Sequence, residues 1–356
     1  MHKSFYAVFA LLFLISGGAL AAPKVGKIAK LDGIPWGMAE LDDGNLLVTL
    51  KKGKLFHLNL KNGKTFPIKN SIPVHNNGQG GLLDIVIESQ NKAKVTALIT
   101  HSVKSGRYST TQLSRLHIDL DKKTSTDFKR LFLAKTDETG GRHYGSRILI
   151  RDNYIYLTVG DRGERDKAQD MKFHNGKLIR IHKDGSIPKD NPFVKQGKVA
   201  GSIYSIGHRN AQGITFNGKS IVVGEHGPRG GDEINVIEKG ANYGWPTITY
   251  GREYWGPKIG EGTEKKGLKQ PLKYFVPSIA PSSLLFYSGS RIKEFKNSYL
   301  QGALKLTHLN AVSVDGKTER RFFEGLGERI RQVIMTKDER VLFSCDSGNI
   351  FVVPAT

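Results

Sequence analysis

The feature that most constrains this chain is a repeat. Short alternating apolar runs, separated by polar glycine turns, return in six passes spaced about 45–65 residues apart. The first begins Trp36-Gly37-Met38-Ala39-Glu40-Leu41 and continues through 45–49 and 54–58. The second covers 81–88, 94–101 and 112–119, and the third 145–150, 154–160 and 176–182. The fourth covers 212–216, 220–224 and 233–238, the fifth 282–287, 298–303 and 311–314, and the last 331–336, 340–344 and 349–353. A period of two within each run is that of a strand with one face buried. Helical periodicity is nearly absent, and 41 glycines in 356 residues supply the turns that such short strands need. Three or four strands per pass make one propeller blade. The spacing therefore predicts an all-β, six-bladed β-propeller with four-stranded antiparallel blades. The last pass offers three strands only. The leading segment 25–31 alternates and has no partner of its own, so it is expected to pair with the last blade and close the ring. Closure hides edges that an open stack would expose, whereas a two-sheet sandwich leaves the period unexplained.

The start of the chain has a different character. Met1-His2-Lys3 precedes an apolar stretch from Phe5 to Ile15 and an Ala19-x-Ala21 pattern, which together read as a signal peptide, residues 1–21, removed on export. The stretch is too short for a bilayer span, and no later run is long and apolar enough, so no membrane insertion is expected. Residues 22–356 are then one exported, periplasmic domain. The single cysteine, Cys345, cannot form an intramolecular disulfide and sits in an apolar run, as a buried residue would. A formal charge of +21 suits an anionic cofactor, a nucleic acid or an acidic surface. The basic residues are dispersed, with no recognition helix or basic block, so no nucleic acid is expected.

Polar clusters fall at matching points of successive passes. They are Asn76–Gly81, Gly141–Arg147, Gly160–Gly163, Gly207–Gly213, Arg329–Arg331 and the loop 224–235. A ring would bring them to one mouth. In the last of these loops, four glycines and a proline within 224–231 expose backbone carbonyls beside Asp232 and Glu233, the hard oxygens that calcium prefers. Taken singly, each cluster has a plainer reading. His143 would be a hydrogen-bonding or surface residue, Asp161 a turn carboxylate and Arg209 a sheet-edge cation. Arg329 and Arg331 share one face if they lie on a strand, and two like charges there repel unless an anion lies between them. Walker, dinucleotide-binding, zinc-helix and nucleophile-elbow patterns are missing, which argues against a nucleotide cofactor and an ordinary serine hydrolase.

Three segments taken together carry a resemblance: His143-Tyr144-Gly145-Ser146-Arg147, Gly207-His208-Arg209-Asn210-Ala211-Gln212-Gly213, and Glu225-His226-Gly227-Pro228-Arg229-Gly230-Gly231-Asp232-Glu233 with Asn242-Tyr243-Gly244-Trp245-Pro246. From about Ile34 to Val353 the chain resembles the soluble pyrroloquinoline-quinone-dependent sugar dehydrogenases, closest to the aldose sugar dehydrogenase branch. The resemblance implies a six-bladed propeller that oxidises aldoses to lactones, with His143 as general base and Asp161 orienting it. It implies Gln79, Arg209, Asn210, Tyr254, Lys305, Arg329 and Arg331 on the quinone, with Arg209 near the reacting oxygens. It implies calcium at the carbonyls of Gly227 and Pro228, and at Glu233 and Tyr243. An external electron acceptor and a monomeric or homodimeric state complete the expectation. Three carboxylates on the cofactor call for fixed cations, for which arginine's planar fork is suited.

Two other readings remain open at this stage. One is a metal-dependent lactone hydrolase on the same scaffold, for which an array of cations has no use. The other is a non-catalytic propeller that binds carbohydrate or a partner protein.

Overall fold

The computed structural model describes residues 23–355; the leader expected at residues 1–21 lies outside them. Six four-stranded antiparallel sheets follow one another around a ring. Blade 1 is Pro35–Glu40, Leu46–Leu50, Leu55–Leu58 and Thr65–Ile68. Blade 2 is the longest: Leu82–Asn91, Lys94–Ser105, Tyr108–Asp119 and Thr124–Leu133. Blade 3 is Ile148–Arg151, Tyr154–Val159, Lys177–His182 and Ile203–Ile206. Blade 4 is Ala211–Phe216, Ile221–Glu225, Asp232–Val236 and Lys273–Phe275. Blade 5 is Leu285–Tyr287, Ser298–Gly302, Leu309–Ser313 and Glu319–Phe322. Blade 6 takes Ile330–Met335, Val341–Cys345 and Asn349–Val353 from the end of the chain. Its outer strand is Gly26–Lys30, which pairs antiparallel with Asn349–Val353 and closes the ring as the unpaired leading run predicted.

The alternating runs are explained by what lies between blades. Each of the six gaps holds its own apolar cluster. Leu47 and Leu55 of blade 1 meet Ile85 and Ala97 of blade 2, and Leu98 and Leu113 meet Ile155 and Leu157 of blade 3. The pattern repeats around the ring to Leu342 and Ile350 of blade 6, which meet Met38 and Val48 of blade 1. Cys345 is buried in the cluster between blades 5 and 6. Each fully buried Leu, Ile or Phe contributes roughly 1.5–3 kcal/mol, so the ring is held by six distributed cores.

The axis is held by polar contacts. Arg147, just before blade 3, is buried and reaches every other blade. Its Nε donates to the carbonyl of Gln212 at 2.8 Å. Its Nη1 donates to the carbonyl of Trp36 at 3.4 Å and to Asp84 Oδ1 at 3.0 Å. Its Nη2 donates to the carbonyls of Ser282 at 2.7 Å and Arg331 at 3.1 Å. Asp84 Oδ2 accepts the Ile148 amide at 3.0 Å, completing the knot. The Arg147–Asp84 pair lines a separate, largely apolar hollow of about 390 Å³ lined by the inner strands, which shares no lining residue with the large cavity described next. Among the described residues, no helix is long and apolar enough to cross a membrane.

Candidate active site

Two sets of turns supply one mouth: the segment entering each blade, and the turn between its second and third strands. Between them lies a cavity of about 550 Å³. It gathers Gln79, His143, Arg209, Asn210, Tyr254, Lys305, Arg329, Arg331, Gly227 and Pro228 from five blades. Of the residues expected at the site, Asp161, Glu233 and Tyr243 stand outside its wall. Asp161 is behind His143. Glu233 and Tyr243 line a narrow neighbouring hollow that shares Arg209, His226 and Gly227 with the cavity.

His143 is held from three directions. Its backbone is left-handed, with φ of 54°, and its amide donates to Gln79 Oε1 at 2.8 Å. Its Nδ1 lies 2.7 Å from Asp161 Oδ1. Asp161 in turn accepts the Gly163 amide at 2.7 Å and the Trp245 indole N–H at 2.8 Å. The Asp161 main chain is fixed too: its amide donates to the Arg209 carbonyl at 2.7 Å, and its carbonyl accepts Asn175 Nδ2 at 3.0 Å. A Cβ on Gly160 would overlap the His143 carbonyl, so the close approach of these two segments requires glycine there.

Electrostatics set the imidazole's form. Burial pushes the His143 pKa down; the hydrogen bond to Asp161 opposes this and the Arg209 charge adds to it, leaving it below the usual histidine value. Burial works against ionised Asp161, but the hydrogen bonds and charges of His143, Arg209 and Gly163 outweigh it and hold this carboxyl below its usual range. The pair is therefore neutral imidazole and carboxylate, with Nδ1–H donated to Asp161 and the Nε2 lone pair left for a substrate proton. This is the arrangement a general base needs.

The other polar residues of the cavity are similarly committed through one end and free at the other. Asn210 Oδ1 accepts the Gly145 amide at 3.1 Å, which leaves its Nδ2 for a ligand. Arg209 donates its amide to Glu225 Oε2 at 2.7 Å and its Nη1 to the His226 carbonyl at 3.2 Å. Arg329 and Arg331 do converge, and an anion does lie between them: Asp346, from the chain itself. Arg329 Nε is 3.0 Å from Asp346 Oδ2, and Arg331 Nε is 2.8 Å from Oδ1. Arg331 Nη2 adds a contact of 2.9 Å to Oδ2. Lys305 and Tyr254 are exposed on the rim.

The loop 226–232 departs in one respect from its sequence reading. Asp232 is spent on the loop itself. Its Oδ1 accepts the Gly227 amide at 2.8 Å and the Ser278 hydroxyl at 3.1 Å, and its Oδ2 accepts the Ala280 amide at 2.8 Å. Its hard oxygens therefore lock the turn. The Tyr243 hydroxyl is also committed, donating to the Val236 carbonyl at 2.6 Å and accepting the Glu238 amide at 2.8 Å. Any ligand role of Tyr243 falls to its main-chain carbonyl. Glu233 is different. Burial and the neighbouring Glu225 carboxylate push it up to about 8. Glu225 is spent on the His208 ring at 2.8 Å, the Arg209 amide and Asn235 Nδ2, and Asn235 Nδ2 also meets Glu233 Oε2 at 3.0 Å, so Glu233 Oε1 is the carboxylate oxygen left for a hard divalent cation. Among the described residues no cluster of three or more His, Cys, Asp or Glu side chains is arranged for a metal, so a site here rests mainly on carbonyls.

Sequence reasoning passed over Lys51, Trp36, His226 and Asp346. Lys51, Trp36 and His226 line the cavity directly. Lys51, His226 and Asp346 sit just after the second strand of their blades, the same position as Asp161 and Lys305.

Comparison with known proteins identifies the family and the fold. The profile of the Glucose / Sorbosone dehydrogenase family matches residues 32–352. The chain is 35% identical over 349 residues to aldose sugar dehydrogenase YliI of Escherichia coli (strain K12), covering 94% of this chain and 93% of that protein. The crystal structure of the soluble aldose sugar dehydrogenase from Escherichia coli in the apo-form superposes with a TM-score of 0.87 at 32% identity, over 94% of this chain and 99% of that one. The PQQ-bound form of aldose sugar dehydrogenase from Streptomyces coelicolor shares the fold, with a TM-score of 0.77 at 24% identity, over 93% of this chain and 99% of that one. With a sequence match across almost the whole ring, this chain is a member of the glucose/sorbosone dehydrogenase family.

Proposed function

We propose that this protein oxidises aldose sugars at the anomeric carbon to lactones, using pyrroloquinoline quinone and calcium, as an exported protein comprising residues 22–356. The observation that carries the reading is one cavity that combines a neutral, carboxylate-backed histidine with a surplus of cations. A neutral sugar or lactone does not account for those cations, whereas a triply acidic quinone does. The cavity also has the size of a small-molecule site.

His143 Nε2 accepts the proton of the anomeric hydroxyl. Asp161 keeps the imidazole in the required tautomer and stabilises the imidazolium that forms. Gln79 and Gly160 fix the ring's approach, the first through the His143 amide and the second by leaving room. Arg209 and Asn210 present donors beside that point, while Lys305, Arg329 and Arg331 hold carboxylates. The carbonyls of Gly227 and Pro228, with Glu233 and the Tyr243 carbonyl nearby, would hold calcium. When bound, the quinone supplies the hydride acceptor and calcium the Lewis acid. The protein's share is position, charge and a place for the proton. Electrons then leave to an external acceptor.

The test is reconstitution. Purified protein given pyrroloquinoline quinone and calcium should reduce a redox dye in the presence of aldoses and release the lactone; without the quinone it should do neither. Lactone hydrolysis by quinone-free protein, with no aldose oxidation after reconstitution, would replace this reading with the hydrolase.

A further inference from the structure

Six cations line the main cavity: Lys51, Arg209, Arg229, Lys305, Arg329 and Arg331. They are not equally available. Arg329 and Arg331 share Asp346, so part of each guanidinium is already neutralised. Among the described residues Lys51 has no carboxylate partner, and its ammonium meets a neutral amide oxygen, Asn76 Oδ1, at 3.2 Å. That contact uses one of its three donors.

The direction of Lys51 is set by its backbone. It follows the strand Leu46–Leu50. Its amide donates to the Ile34 carbonyl at 3.0 Å and its carbonyl accepts the Leu82 amide at 2.9 Å. The stem passes so close to Gly81 that a Cβ there would lie 2.7 Å from Lys51 Cγ. The half-buried side chain is thus held toward the cavity. Its charge is disfavoured there, first by burial and then by the Arg331 charge, with partial relief from Asp346. A confined ammonium near a guanidinium, with donors to spare, is stabilised by an anion placed between them.

We propose that Lys51 holds a carboxylate of the quinone cofactor, acting with Arg331 and extending onto blade 1 the cationic wall that Lys305 and Arg331 supply from blades 5 and 6. The assignment rests on the cofactor reading given above and adds a binding residue to it. A neutral aldose gives Lys51 nothing to neutralise, so its contribution should appear in cofactor affinity before any sugar is present.

The experiment is a titration of quinone-free protein with pyrroloquinoline quinone in calcium buffer, read as quenching of tryptophan fluorescence, at two salt concentrations. Trp36 lines the cavity and Trp245 contacts Asp161, so both are placed to report. Loss of one charge-assisted hydrogen bond predicts a dissociation constant raised about tenfold to a hundredfold in Lys51→Met. The variant's affinity should also depend less on salt, and Lys51→Arg should bind more tightly than Lys51→Met. Melting of the quinone-free variant should match that of the wild type. If methionine disturbs the fold, Lys51→Gln, which keeps a polar group facing Asn76, is measured in its place. Wild type that binds while the neutral variant binds within about twofold of it overturns the Lys51 assignment and leaves the cofactor reading standing. Wild type that does not bind overturns the cofactor reading and this assignment with it.

Discussion

Replacing His143 with alanine should lower kcat/KM for aldoses by about 10²–10⁴-fold, the usual contribution of a positioned general base, and leave quinone binding largely intact. The expectation follows from where the imidazole is tied. Nδ1 is taken by Asp161 at 2.7 Å, so Nε2 is the nitrogen left to receive a proton. The same geometry gives the pH dependence. The base works when neutral, and burial with the Arg209 charge keeps its pKa below the usual histidine value. Activity should therefore be flat through neutrality and fall only as pH drops through a midpoint below the usual histidine value. Steady-state kinetics across pH measure both effects. Full turnover in His143→Ala, or an acid limb centred well above neutrality, would remove His143 from the proton transfer.

The second large effect concerns the axis. Arg147→Leu should destabilise the fold by about 3–5 kcal/mol, because it leaves the Asp84 carboxylate buried without its charge partner. Five hydrogen bonds are lost in one change, to the carbonyls of Trp36, Gln212, Ser282 and Arg331 and to Asp84 itself. Each blade other than blade 3 loses a tie to the centre. Thermal or denaturant unfolding reads this directly. Removing the stranded charge as well, in Arg147→Leu with Asp84→Leu, should recover part of the loss, since an apolar pair of similar volume avoids the desolvation penalty. A single variant as stable as the wild type would show that the interblade cores hold the ring without this knot.

These two residues illustrate what could be read from the chain. His143 stands in a distinctive motif, and the six passes placed that motif at the same blade position as Arg209 and Arg329. Their convergence followed from the repeat alone. The closing role of the first strand followed too, from counting three runs in the last pass. The outer strands were harder to read. Thr124–Leu133 buries no residue and Glu319–Phe322 buries one, so neither shows the alternation that marks a half-buried strand.

Arg147 was visible only as a letter in a motif. Its function depends on the ring axis, where backbone carbonyls from four blades and the Asp84 carboxylate of a fifth come together, and carbonyls leave no mark in a sequence. Asp232 looked like a metal ligand because its residue type fits calcium; its actual partners, Ser278 and Ala280, lie 46 and 48 residues away. Lys51 and Asp346 were more accessible than they looked. Both follow a second strand, the position that also yields Asp161, His226 and Lys305. Tracking that position through every blade would have found them.

The most direct test of the whole account is a crystal structure of the protein soaked with pyrroloquinoline quinone and calcium. The account predicts a planar ligand in the 550 Å³ cavity, its carboxylates among Arg329, Arg331 and the two lysines, and its reactive edge beside His143 and Arg209. A quinone found elsewhere on the ring, with that cavity occupied by solvent alone, would contradict it.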